Sequence, residues 1–275
     1  MRIKTILSAM ALTACISAAV AQPKVIAHRG FWDTPGSAQN SIASLQKADS
    51  VGCFASEFDV WMSPDGVLFV NHDADINGVE IQNTPSQTVL KEKLSNGETI
   101  PTLDQYLAEA AKLPNKDMRL VCELKTHDSR KREIAAIDKI VKLIDQYGLA
   151  DRTDYITFSR DGFREIIKKA PKGTAVYYLS GDYVPAQIKH AKGRGIDYSL
   201  KTMRKHPEWI QQCHDLGLEV NVWTVNAPED MQWCIEQGVD YITTNDPVTL
   251  QRIIAETPAK AETPAKKQIK KNKKK

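Results

Sequence analysis

The 275-residue sequence predicts an α/β fold of the TIM-barrel type, a closed (β/α)8 barrel with a small insertion after the second strand. Beyond residue 22, strand segments alternate with helical segments through short connections. Each strand–helix unit spans about 20–30 residues, a length that favours parallel strands. Prolines lie in the first turns of the helical segments and glycines follow their ends, as helix termini prefer. The alternative for this pattern is an open, doubly wound sheet.

The predicted strands number eight, with one short addition. In chain order the eight span 25–27, 54–61, 120–124, 155–158, 175–179, 196–200, 218–225 and 241–243. The short addition spans 67–71. The irregular stretch from about 73 to 99 is too long for an ordinary connection between a strand and a helix. We therefore predict that it forms an insertion on the rim of the barrel.

Seven helices are predicted between these strands. They span 40–50, 133–147, 162–169, 185–192, 207–216, 228–237 and 247–255. In the helix at 133–147, apolar residues recur three and four positions apart, which places them on one helical face. The prolines that support helix starts are Pro185, Pro207, Pro228 and Pro247. The glycines that support helix ends are Gly148, Gly217 and Gly238.

The N-terminal segment 1–21 is predicted to be a signal peptide. A short basic start precedes apolar residues 6–19, which are too few to span a bilayer. Ala19-Val20-Ala21 before Gln22 is a small-x-small cleavage site. Alternatively, the segment that ends at Cys15 resembles a lipobox, and a lipid on Cys15 would then anchor the protein to a membrane. In both cases the protein is exported, to the periplasm or cell envelope.

The charge of the chain is concentrated at its C-terminal end. The segment 256–275 repeats Glu-Thr-Pro-Ala-Lys and ends in lysines, so it has little to bury and is predicted to be disordered. The net charge of +3 falls to about −5 for the body of the chain once both termini are excluded. A mildly acidic domain at 22–255 lacks the basic face that nucleic-acid binding requires.

Cysteine spacing gives no metal or redox motif. No C-x-x-C pair is present, which argues against a zinc ribbon or a dithiol centre. Cys213 and Cys234 fall on successive predicted helices and could form a disulfide in an exported protein. Buried free thiols are the alternative for all four cysteines beyond the leader.

Three carboxylates are candidate metal ligands. Active sites of (β/α)8 barrels lie at the carboxyl ends of the strands. Glu57 and Asp59 are two residues apart on the second strand and therefore point to the same face, while Phe58 and Val60 pack outward. Glu123, near the end of the next barrel strand, can supply a third oxygen. Because the set contains oxygen ligands alone, it suits Ca²⁺ or Mg²⁺ better than zinc.

Two histidines at strand ends are candidate acid–base groups. His28 follows the first strand and His72 follows the short strand. Imidazole titrates near neutral pH, so one histidine can accept a proton while the other donates one. Arg29 offers a forked donor to phosphate oxygens, and Lys125 offers a compact positive charge. This combination is suited to cleavage of a phosphodiester.

The order of these motifs resembles the glycerophosphodiester phosphodiesterase family. The sequence contains H-R-G, E-x-D, H-D and E-L-K, followed by V-W-T-V-N and T-N-D-P, and the likeness covers 24–255. The family has a (β/α)8 barrel with a small insertion after the second strand. The resemblance implies that His28 and His72 are the general acid and base. It also implies that Glu57, Asp59 and Glu123 bind one divalent cation, Ca²⁺ or Mg²⁺.

The resemblance further implies the substrate contacts. Arg29 and Lys125 would bind the phosphate, and Trp223 with Phe31 would line the apolar side of the cleft. One departure concerns Gln39, which occupies the place of a glutamate in the family's P-E-N-T motif. Metal affinity or preference is expected to differ here if that glutamate contacts the metal. Asn40 and Ser41 retain helix-capping chemistry.

The hypothesis is a metal-dependent hydrolysis of glycerophosphodiesters to glycerol 3-phosphate and an alcohol. Attack by the glycerol 2-hydroxyl would give a cyclic phosphate that water opens. One rival is a phospholipase-type enzyme that acts on lysophospholipids, although the segment 73–99 has few large apolar residues for lipid docking. A second rival is an exported module that binds a phosphoryl ligand. Such a module would need no pair of acid–base histidines.

Overall fold

A closed wall of eight parallel strands surrounds the barrel axis. The computed structural model describes residues 22–258. The wall runs in the order β1, β2, β6, β7, β8, β9, β10, β11 and closes where β11 pairs with β1. The strands are β1 (Lys24–Ala27), β2 (Ala55–Met62), β3 (Leu68–Val70), β4 (Asp75–Ile76), β5 (Val79–Glu80), β6 (Arg119–Leu124), β7 (Thr153–Thr157), β8 (Val176–Tyr178), β9 (Gly195–Ser199), β10 (Glu219–Trp223) and β11 (Tyr241–Thr244). The predicted (β/α)8 barrel is therefore confirmed, and the open sheet is wrong.

Helices cover the outside of this wall, apart from the short helix Ser86–Val89, which packs in a separate apolar cluster. They are α1 (Ile42–Ser50), α2 (Ser86–Val89), α3 (Leu103–Lys112), α4 (Arg130–Gln146), α5 (Arg160–Lys169), α6 (Pro185–His190), α7 (Leu200–Lys205), α8 (Glu208–Asp215), α9 (Pro228–Gln237) and α10 (Pro247–Glu256). The predicted start of the first helix at residue 40 was two residues too early. Asn40 has a positive φ of 61°, which is incompatible with a right-handed helix, and Ser41 caps α1 instead.

The sequence analysis missed α3 and the short α7. In α3, Thr102 and Gln105 form a reciprocal capping box, and the buried residues include Leu103, Tyr106 and Leu107. This helix covers the wall after β2, so the chain between β2 and β6 is more regular than we predicted. The same region contains β3, antiparallel to β2, the β4–β5 hairpin and α2.

Alternation along β2 separates the apolar core from the site. All eight residues of β2 are buried. Phe58 and Val60 belong to the layer between wall and helices, and the Phe58 ring lies 4.7 Å from that of Tyr106. Successive side chains on a strand point to opposite faces, so Glu57 and Asp59 point into the barrel. The outward packing predicted for Phe58 and Val60 is confirmed.

The described residues carry four cysteines, all buried and free. Cys213 and Cys234 form no disulfide with each other. Within 22–258, none of the helices has both the length and the apolar character needed to cross a bilayer. The predicted signal peptide at 1–21, with Cys15, lies outside the described residues. The same holds for the segment 256–275, predicted to be disordered, except for its first three residues, of which Glu256 ends the last helix.

Candidate active site

A pocket opens at the carboxyl ends of the wall strands. One side of it carries charged and titratable groups, namely His28, Arg29, Glu57, His72 and Glu123. The opposite side is mainly apolar and aromatic, with Ile156, Phe158, Leu179 and Trp223, and it also carries Asp197. The pocket can therefore hold a ligand with a charged group at one end and a less polar group at the other.

The three candidate metal ligands converge on the charged side. Strand pairing places Asp59 of β2 directly beside Glu123 of β6. One carboxylate oxygen from each of Glu57, Asp59 and Glu123 lies within 4.8 Å of the other two, and all three residues are buried. The convergence predicted from the sequence is present in the fold.

The electrostatics of this cluster suit a cation. Burial, with the charge of Asp59 next in size, raises the pKa of Glu123 to about 8 and that of Glu57 well above its ordinary range. The buried Glu57 Oε1 has no hydrogen-bond partner among the described residues. An all-oxygen set with an unsatisfied ligand atom fits a hard divalent cation such as Ca²⁺ or Mg²⁺.

Lys125 neutralises part of the cluster. Its Nζ lies 2.7 Å from Asp59 Oδ1 and 2.8 Å from Glu123 Oε1. Burial alone would raise the pKa of Asp59, but the charges of Lys125 and His72, together with hydrogen bonds from Lys125 and Asn40, outweigh it and hold that pKa well below its usual range. We predicted that Lys125 binds phosphate. In the structure its ammonium group is directed at the carboxylates of Asp59 and Glu123.

The H-R-G motif forms a tight left-handed turn that connects the first strand to the carboxylates. Arg29 has a φ of 57°, and its backbone N–H donates to Glu57 Oε2 at 2.7 Å. At Gly30, where φ is 75°, a Cβ atom would lie 2.4 Å from the Ser44 hydroxyl, so only glycine fits. The Arg29 guanidinium donates to Gln39 Oε1, which gives Gln39 a partner in the site.

The two histidines are oriented by different partners. His28 Nδ1 lies 2.8 Å from the Asn245 side-chain oxygen, a neutral acceptor. His72 Nδ1 lies 2.8 Å from Asp73 Oδ1, a carboxylate. Burial, helped by the Arg29 charge, lowers the pKa of His28 to about 4. Burial also lowers the pKa of His72, but the charge of Asp59 and the bond to Asp73 oppose the shift.

Comparison with known proteins places this site in a family. The sequence model of the glycerophosphoryl diester phosphodiesterase family matches residues 28–249. The chain belongs to this family. Its resemblance to the family, drawn from the motifs, is thereby confirmed, and the protein is a phosphodiesterase.

Individual phosphodiesterases support the assignment. A glycerophosphodiester phosphodiesterase of Caldanaerobacter subterraneus subsp. tengcongensis is 31% identical over 84% of this chain and 97% of its own length. The crystal structure of one from Parabacteroides distasonis has 46% identity and a TM-score of 0.83, over 86% of this chain and 98% of that chain. A phosphodiesterase of Oleispira antarctica, solved with the product sn-glycerol-3-phosphate, shares the fold at 23% identity and a TM-score of 0.74, over 85% and 97% of the two chains.

In this phosphodiesterase, Asn40 holds Asp59 in place, a contact that the sequence analysis missed. Its Nδ2 donates to Asp59 Oδ2 at 2.8 Å, and its Oδ1 accepts from the Asp59 backbone N–H at 3.2 Å. We predicted helix capping for Asn40, but the N-cap of α1 is Ser41. The left-handed backbone at Asn40 turns the amide towards β2, and asparagine tolerates that conformation better than most residues.

The apolar wall of the phosphodiesterase pocket contains Trp223, as predicted, but Phe158 in place of the predicted Phe31. Trp223 lines the pocket as expected. Phe31 does not line it and instead packs, half buried, against the main core. Phe158 stands on the wall, 40% exposed, with its ring 5.6 Å from that of Trp223 in an edge-to-face arrangement. Phe158 directly follows β7, so the strand-end rule would have found it had we included aromatic residues.

Proposed function

We propose that the protein hydrolyses glycerophosphodiesters to glycerol 3-phosphate and an alcohol, with one divalent cation, Ca²⁺ or Mg²⁺. The observation that carries the proposal is a three-carboxylate cluster and two histidines on the same pocket. The product bound to the Oleispira antarctica relative supports glycerol 3-phosphate as the product here. When bound, the cation would supply Lewis-acid polarisation of a phosphate oxygen.

Glu57, Asp59 and Glu123 would hold the cation. The three cluster together, and Glu57 and Glu123 also line the pocket, where a substrate can reach the same ion. Arg29 lines the pocket and presents a guanidinium to phosphate oxygens. The Lys125 ammonium contributes a fixed positive charge behind the carboxylates, which favours the negative charge that develops on the phosphoryl group.

We assign the role of base to His28. Its neutral partner Asn245 and its burial beside Arg29 favour uncharged imidazole at neutral pH. If Nδ1–H donates to the Asn245 oxygen, Nε2 carries the lone pair that accepts a proton. This histidine would take the proton of the attacking glycerol 2-hydroxyl or of a water molecule.

We assign the role of acid to His72. Its carboxylate partner Asp73 stabilises the imidazolium, as does the nearby charge of Asp59. As the 2-hydroxyl oxygen bonds to phosphorus, the bond to the alcohol oxygen breaks, and that oxygen takes the proton of His72. Water would then open the cyclic phosphate, with each histidine acting in the opposite sense.

Single alanine variants test this scheme. His28→Ala and His72→Ala are each expected to lower the turnover of glycerophosphocholine by about 10²–10⁴-fold, the usual contribution of an acid or base. His190→Ala is the matched control, because His190 is exposed on α6, and it should keep wild-type turnover. Near-wild-type turnover in either test variant would remove that histidine from the scheme.

The rival substrate class is tested on the same enzyme. The exposed large apolar residues, Leu90, Phe158, Val184 and Val248, come from separate elements. We therefore expect glycerophosphocholine to be hydrolysed faster than a long-chain lysophosphatidylcholine, and the reverse order would favour the phospholipase-type function. A protein that binds these substrates without turnover under any metal condition would be a binding module.

Export is part of the proposal. The basis is the sequence of residues 1–21, with its cleavage site before Gln22. N-terminal sequencing of the protein from its host should begin at Gln22. A mature chain that begins at an acylated Cys15 would support the lipoprotein form, and an intact Met1 would refute export by this signal.

A further inference from the structure

Asp197 is a buried carboxyl group that faces the pocket and has no role in the scheme above. It lies in β9 between Ile196 and Tyr198, which are fully buried in the layer beneath the helices. Alternation along the strand therefore directs Asp197 into the barrel. The residue is 2% exposed and lines the pocket.

This carboxyl group is less well satisfied than Asp154 and Glu133, two other buried carboxylates. Asp154 is paired with Arg119 at 2.6 Å, and Glu133 accepts a hydrogen bond from Ser159. Asp197 Oδ1 has no hydrogen-bond partner, and no cationic side chain among residues 22–258 perturbs its pKa. Burial raises that pKa to about 7, although the Asn221 amide opposes the shift. A buried carboxylate without a cation is unfavourable unless a ligand supplies one.

The Trp223 ring stands beside Asp197 on the wall of the pocket. The Trp223 indole N–H donates to the backbone oxygen of Asp197 at 2.8 Å, which fixes the ring on the pocket wall. Phe158 packs against Trp223 from the side. A carboxylate next to an aromatic face is the usual chemistry for recognition of an ammonium group.

The position of Asp197 separates it from the metal-ligand cluster. In the closed wall, β9 is the fourth strand from β2 in either direction, so Asp197 and Glu57 lie on opposite sides of the barrel. Asp197 is not part of the carboxylate group formed by Glu57, Asp59 and Glu123. A ligand whose phosphate lies at the charged side would reach Asp197 with its other end.

We propose that Asp197 and Trp223 form the subsite for the alcohol group of the substrate and select alcohols that carry an ammonium group. This inference rests on the proposed function, in which the charged side takes the phosphate and the glycerol. An ammonium group would neutralise the buried carboxylate and contact the indole ring. A neutral hydroxyl would satisfy one oxygen but leave the charge buried.

A substrate panel on the full-length enzyme tests the subsite. Asp197→Asn keeps the shape and removes the charge. For glycerophosphoethanolamine and glycerophosphocholine, kcat/KM should fall about tenfold or more, mainly through KM. For glycerophosphoglycerol and glycerophosphoinositol it should change by less than about threefold. Thr243→Val, a pocket variant that removes a hydroxyl but no charge, should affect both classes equally.

An equal loss for all four substrates in Asp197→Asn would overturn the inference. Asp197 would then contact the glycerol that all four share, or would stabilise the fold.

A binding measurement keeps the test valid if Asp197→Asn does not fold. The variant His72→Ala should bind glycerophosphoethanolamine about tenfold more tightly than glycerophosphoglycerol in calorimetry. Equal affinities would refute the subsite. If none of the four is hydrolysed by the wild type, the proposed function fails, and calorimetry still decides the subsite.

Discussion

Removal of the Asn40 side chain should loosen the carboxylate cluster without changing any of the three proposed metal ligands. The amide makes two hydrogen bonds to Asp59, at 2.8 and 3.2 Å, and is 1% exposed. Asn40→Gly deletes both bonds and still accepts the φ of 61°. One oxygen and one N–H of Asp59 then lose buried partners, each loss worth about 1–3 kcal/mol, so we expect about 2–6 kcal/mol lower stability.

Metal affinity and turnover should also fall in Asn40→Gly, because the Asp59 side chain is no longer held in one orientation. Partners that orient metal ligands typically change metal affinity or activity by about 10–100-fold. Calcium affinity, measured by calorimetry, and kcat/KM for glycerophosphocholine should both fall within that range in Asn40→Gly. Asn40→Ala should lose about 1 kcal/mol more in urea unfolding, because alanine disfavours the left-handed backbone.

Asn77→Gly is the matched control for Asn40→Gly. Asn77 also has a positive φ, of 54°, but lies exposed in the β4–β5 turn. This variant should keep wild-type calcium affinity. Asn40→Gly with calcium affinity and turnover within twofold of wild type would refute the claim that Asn40 positions Asp59.

Three further predictions concern charge, pH and thiols. Lys125→Met leaves Asp59 and Glu123 without the ammonium group that they share. In the presence of chelator, the free energy of unfolding should fall by about 3 kcal/mol, and turnover should fall about 100-fold. An unchanged free energy of unfolding would show that the two ion pairs do not stabilise the fold. His28 has a pKa of about 4 in the fold against 6.5 ordinarily, so the unfolded chain takes up the proton first and stability should fall as pH drops from 6.5 towards 4. In urea titrations across that range, His28→Gln should show a shallower dependence, and an identical slope would contradict the shift. The four buried thiols should react with a thiol reagent only after unfolding, and reductant should leave the melting temperature unchanged; rapid reaction of the folded protein would argue against their burial.

The charged part of the site was predictable because it follows from local rules. Alternation along β2 fixes the side on which Glu57 and Asp59 lie, and parallel pairing brings Glu123 beside them. Each step needs only a strand assignment and the position of strand ends in a barrel. These steps do not depend on how the loops fold.

The missed contacts depend on loop paths and on the interior of the barrel. Asn40 reaches Asp59 only because the loop after β1 turns back through left-handed residues, which a helix-start pattern does not reveal. Phe31 follows the same loop and packs into the core instead of the pocket. Asp197 gave a signal that we did not use, an acidic residue inside an apolar strand. Its missing partner is visible only in three dimensions.

The central claim is that the three carboxylates bind one divalent cation that turnover requires. The most direct measurement is glycerophosphocholine hydrolysis by chelator-treated protein, before and after Ca²⁺ or Mg²⁺ is titrated back. We predict that turnover is abolished by the chelator and restored with one cation per chain, and that Glu123→Gln requires a much higher cation concentration. Undiminished hydrolysis in excess chelator would contradict the account.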